Sequence, residues 1–115
     1  MSDNKNNKNK EYMFHQEEGG TIRISEDVVA TIAGGAAAEV EGVSGLMSGK
    51  GASKGVRLST RDEQVILDLY LSVKYGSVIP EVAEKVQKAV ASAVEASTGF
   101  AIHEVNIHVG GLSFE

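Results

Sequence analysis

The stretch "VILDLYLSVKY", residues 65–75, constrains this chain more than any other. Val65, Leu67, Leu69, Leu71 and Val73 fall on one side of an extended backbone, and Asp68, Tyr70, Ser72 and Lys74 on the other. A period of two sustained over that length predicts a strand with one buried and one solvated face. The buried face needs an apolar cover, and the chain offers two amphipathic helices to supply it.

The first follows "TIRIS", residues 21–25, a short strand by its alternation. Ser25 is placed to cap the helix, and Glu26 and Asp27 bring negative charge to its positive end. Val29, Ile32, Ala33, Ala36, Ala37 and Val40 recur at spacings of three and four, to about Glu41. Gly34 and Gly35 interrupt it at a cost of roughly 1 kcal/mol each relative to alanine. They read as a smooth surface against which another backbone packs closely. The second helix begins at Pro80, which tolerates a first turn because it has no amide hydrogen to lose. Ile79, Val82, Ala83, Val86, Val90, Ala93 and Val94 form its stripe. Glu81 with Lys85 and Glu84 with Lys88 add favourable i,i+4 pairs. Gly99 closes it, with Phe100 folded back on Val94.

Between the helices, "GVSGLMS" and "GVRLST" read as strands, "GKGASKG" as a loop and "RDEQ" as a turn; "HEVNIHV", residues 103–109, is the last strand. The expected order is β-α-β-β-β-α-β, an α+β domain over residues 21–112. Two helices pack on one face of a mostly antiparallel sheet and leave the other face open. Residues 1–20 are polar and cannot bury enough apolar area to order themselves, so they read as a tail. Residues 113–115 are the C-terminal end.

Chemistry has little to work with. His103 and His108 are five apart, an odd number, so a strand puts them on opposite faces. Glu104 and His108 share a face but sit about 13 Å apart, too far for one ion. "GLMSGKGASKG" resembles a phosphate loop, yet Ser44 and Gly51 occupy positions that need Gly and Ser or Thr, and a strand follows where a helix is required. The same segment lies between strands, not between the helices of a single-strand-binding GxxG module. No serine sits in a strand–turn–helix elbow beside a histidine. The chain has no cysteine, and its formal charge of −5 disfavours nucleic acid and anionic lipid across the whole surface. No apolar run approaches the roughly 20 residues of a membrane span, and the N-terminus lacks a signal peptide's apolar core. The expectation is a protein inside the cell, with no direct membrane insertion and no catalytic, cofactor or metal site.

One combination is more specific. "DLYLSVKYGSVIPEVAEKVQKAV", then "TGFAIHEVNIHVGGL", with "EGVSGL" upstream, resembles the alkaline-shock, or envelope stress response, family of Gram-positive bacteria. The resemblance runs from about Thr21 to Leu112 and implies a non-enzymatic cytoplasmic protein of the envelope stress response. It also implies self-assembly, or tethering at the inner face of the membrane by a membrane-anchored relative. No catalytic residue attaches to the matching motifs.

The expected interaction surface is the open sheet face: Asp68, Tyr70, Ser72 and Lys74 beside Glu104, Asn106 and His108, with Ile66 and Ile102 as apolar anchors at its margins. The alternative is nucleic-acid binding through the tail lysines, Lys5, Lys8 and Lys10, and the loop lysines, Lys50 and Lys54.

Overall fold

The computed structural model describes residues 11–16, 20–47, 54–99 and 101–114. Its elements are β1 (Glu11–Gln16), β2 (Gly20–Ser25), α1 (Glu26–Ala38), β3 (Val43–Leu46), β4 (Val56–Arg61), β5 (Gln64–Lys74), α2 (Ile79–Thr98) and β6 (Glu104–Ser113). The α+β order expected from sequence is present, with one strand added in front. Six residues assigned to the 1–20 tail form β1, which pairs antiparallel with β2, Tyr12 opposite Ile24 and Phe14 opposite Ile22. The polar composition of residues 1–20 concealed this strand from the sequence reading. The tail lysines Lys5, Lys8 and Lys10 lie outside the described residues, as do Lys50 and Phe100.

β5 is the axis of the four-stranded sheet. β4 runs antiparallel along its first half and β3 along its second, on the same edge. β6 runs parallel along the opposite edge, Ile66 beside Glu104 and Tyr70 beside His108. The parallel pairing follows from α2, whose length carries the chain back to the starting end of β5. Between β4 and β5, Asp62 and Glu63 both take positive φ, 53° and 67°. That is the geometry a two-residue hairpin needs to match strand twist.

Val65, Leu67, Leu69, Leu71 and Val73 are at most 3 % exposed, and both helices cover them. From α1 come Val29, Ala30, Ala33 and Ala37; from α2, Val82, Val86, Val90 and Val94. Burying each of these valines contributes about 1.5–3 kcal/mol. Ser25 caps α1, its Oγ accepting from the Val28 amide at 3.2 Å. Gly99 ends α2 at φ 87°, its N–H donating to the Glu95 carbonyl. Gly34 does make a close approach, but to a side chain: a Cβ there would lie 2.9 Å from Leu46 Cδ1. Gly35 faces open space.

Glu26 is the one charged residue in the core among the described residues, 6 % exposed. Its Oε2 accepts from the Leu58 backbone amide at 3.0 Å. A carboxylate in the first turn of α1 thereby also caps an amide on the outer edge of β4, tying helix to sheet.

Candidate functional site

The outer face of β5 gathers most of the residues expected there. Asp68 is opposite Asn106 on β6, and Tyr70 is opposite His108. Asn106 Nδ2 donates to Asp68 Oδ1 at 3.2 Å. His108 Nε2 lies 3.0 Å from the same oxygen. An ionised carboxylate only accepts, so this ring nitrogen carries the hydrogen. The Tyr70 and His108 rings stack, with centroids 4.5 Å apart and planes within 11°. Asp68 is thus a single acceptor that fixes two side chains of the neighbouring strand, one of which fixes the tyrosine. Side-chain exposure is 18 % for Asp68 and 45 % for His108, so the anchor is shielded and the ring is presented.

Two side-chain crossings frame this cluster. At one end Arg61, on β4, reaches over β5 to Glu104 on β6, with Nη2 3.3 Å from Oε1. At the other, Met47 crosses from the end of β3 onto the bare backbone of Gly110 and Gly111; a Cβ on Gly110 would lie 3.3 Å from its Sδ. Ser72 is tied to Ser44 through their hydroxyls, 2.6 Å apart, and Lys74 is exposed at the far end of the strand. Arg61 and Met47 escaped the sequence reading. The parity of "VRLSTR" does place Arg57, Ser59 and Arg61 on this face, but only the strand order shows that β4 and β6 flank β5 closely enough to be bridged.

Two expectations need correction. Ile66 is not an available anchor: it is 6 % exposed, beside the Arg61–Glu104 crossing that spans its strand. Ile102 packs against the core, because β6 begins at Glu104 and strand parity does not extend back to it. Lys54 is an exposed lysine at the end of the loop, its Nζ 3.5 Å from Asp27 Oδ1 and 3.4 Å from Thr31 Oγ1, where a carboxylate partly offsets its charge. With Lys50 outside the described residues, the nucleic-acid alternative has no support in the geometry.

The arrangement is a partly solvated surface of strand side chains. Among the described residues no three His, Asp or Glu side chains are placed to hold a metal ion. Among them, too, no helix is long and apolar enough to cross a membrane.

Comparison with known proteins supplies the relationship. The model of the alkaline-shock protein family, described as having a cell envelope-related function, matches residues 14–114. The chain is 37 % identical over 106 residues to the uncharacterized protein YloU of Bacillus subtilis (strain 168), covering 81 % of this chain and 88 % of that one. It is 39 % identical over 105 residues to the uncharacterized protein Spy1535 of Streptococcus pyogenes serotype M6, covering 84 % and 81 %. Among solved structures, a variant of the MamM CTD superposes with a TM-score of 0.50 at 20 % identity, covering 75 % of this chain and 96 % of the other. That last likeness concerns the fold alone.

Proposed function

Because this chain belongs to the alkaline-shock protein family, whose function is cell envelope-related, we propose that it is a non-enzymatic interaction module of the envelope stress response, working through protein–protein contacts on the uncovered sheet face. The observation that carries the reading is the Tyr70–His108 stack held on Asp68. A large ring already fixed in place loses little entropy when a partner docks, the property that makes tyrosine a frequent anchor of interfaces. The surrounding face is polar, with Arg61, Glu104 and Lys74 towards its ends. Such a surface suits a reversible contact. The partner is a second copy or a membrane-anchored relative, so that the protein works in the cytoplasm at the inner face of the membrane without entering it.

Tyr70→Asp tests this. The substitution places a second carboxylate beside Asp68 and removes the ring, on a face the helices do not touch. The urea midpoint should stay close to that of the native chain, while photo-crosslinking from Asn106 in intact stressed cells should lose its protein adducts. Adducts unchanged by the substitution would refute the reading, and adducts to RNA would replace it with nucleic-acid binding.

A further inference from the structure

The four-stranded sheet has two outer edges, and they are not equivalent. Even-numbered groups of β5 bond to the β3–β4 side: the Tyr70 amide donates to the Gly55 carbonyl at 2.8 Å, and the Tyr70 carbonyl accepts from Met47 at 2.7 Å. Odd-numbered groups therefore serve β6, as the Tyr75 amide does in donating to the Ser113 carbonyl at 2.7 Å. In a parallel ladder, that turns the backbone groups of Glu104, Asn106 and His108 towards β5 and those of Val105, Ile107 and Val109 outward. The Val105 carbonyl agrees, accepting from Gln87 Nε2 of α2 at 3.0 Å. Among the described residues, the outward groups of Ile107 and Val109 meet no partner.

The side chains along this edge are also under-covered. Val105, Ile107 and Val109 are only partly buried against the core, and Leu112 is 48 % exposed. Beyond them Phe114, 72 % exposed, packs against Tyr75, 66 % exposed, with centroids 4.7 Å apart and ring planes tilted by 31°. The strand itself, "EVNIHVGGLS", contains no lysine, arginine or proline, the residues with which exposed edges are usually blunted.

We infer that the β6 edge binds the β6 edge of a second copy, antiparallel about a two-fold axis near Ile107–Val109, joining the two sheets into one. This rests on the proposed action through protein contacts, and adds which surface takes which partner. Two observations select a second copy paired edge to like edge. Glu104, the one Asp, Glu, Lys or Arg residue in β6, lies at the strand's start. An antiparallel mate puts the two Glu104 side chains roughly 25 Å apart, so like charges do not meet. The opposite edge does not offer itself to β6, because Glu26 already occupies the outward Leu58 amide. Head-to-tail addition is thereby disfavoured and a closed dimer results. A two-fold perpendicular to the sheet keeps all four helices on one side and sets both Tyr70–His108 clusters on the other, as one doubled face.

The test uses the full chain and the fact that it has no cysteine. Sedimentation over a wide concentration range should show monomer and dimer, with no larger species. Val109→Pro removes an outward amide that makes no bond within the described residues, and should raise the dimer dissociation constant at least about tenfold. Should that variant misfold, single cysteines introduced by Ile107→Cys or Val109→Cys supply the second readout. Mixed in equal amounts, these two variants, whose cysteines face each other across the two-fold, should give a disulfide-linked dimer on mild oxidation, and Val28→Cys, exposed on α1, should not. A native chain that stays monomeric at every concentration overturns the inference but leaves the Tyr70 contact with a relative standing. A native dimer that Val109→Pro does not weaken and the cysteines do not trap also overturns it, and moves self-association to the Tyr70 face. An open-ended ladder of oligomers overturns the two-fold.

Discussion

At the β4 edge of the sheet, the outward Leu58 amide donates to a carboxylate buried to 6 % exposure. At the β6 edge, the outward Val105 carbonyl meets only the tip of Gln87, an exposed side chain. Both edges belong to one sheet and have similar backbone groups to satisfy. One is closed by a residue that cannot leave without unpacking α1; the other by a residue that can swing into water at almost no cost. An edge is protected by the immobility of what covers it, not by the presence of a hydrogen bond.

Hydrogen exchange should expose the contrast most strongly. The Leu58 amide should exchange only on global unfolding, while those of Ile107 and Val109 in dilute protein should exchange at least about a thousandfold faster. Equal protection in dilute monomer would abolish the distinction. The next effect is energetic. Glu26→Ala removes a buried charge-assisted hydrogen bond and should lower the unfolding free energy by about 1.5–3 kcal/mol in urea titrations. A loss under about 0.5 kcal/mol would mean that the carboxylate does not fasten that edge. Gln87→Ala should be the smallest, within about 0.5 kcal/mol, as for other exposed contacts. It should leave dimerisation intact or slightly stronger, because the Val105 carbonyl becomes available to a second chain.

Much of this was legible in the residues. The alternation from Val65 to Val73 named the buried face of β5, and Ser25, Pro80 and Gly99 marked helix ends where they occur. The same parity placed Asp68, Tyr70, Asn106 and His108 on the open face. Periodicity assigns residues to a face, however, and says nothing about which strand lies alongside. The Tyr70–His108 stack, the Arg61–Glu104 crossing and the burial of Ile66 all depend on β6 lying beside β5 in one register. Glu26 shows a further gap. Helix-end electrostatics accounts for an acidic residue there, but its bond to Leu58, 32 residues away, exists only once α1 is laid across β4.

The parallel pairing of β5 with β6 also sets the order in which this domain can be built. β4 and β5 are joined by a two-residue turn and can zip together at once. Ile66 meets Glu104 only once the segment that carries α2 has been brought back along β5. Closing that long loop is the slow, non-local step expected to govern the folding rate. Until it is complete, the odd-numbered amides and carbonyls of β5 have no mate, and Leu67, Leu69 and Leu71 have only part of their cover. Before β6 docks, that unpaired edge and uncovered apolar surface are what expose a nascent chain to aggregation.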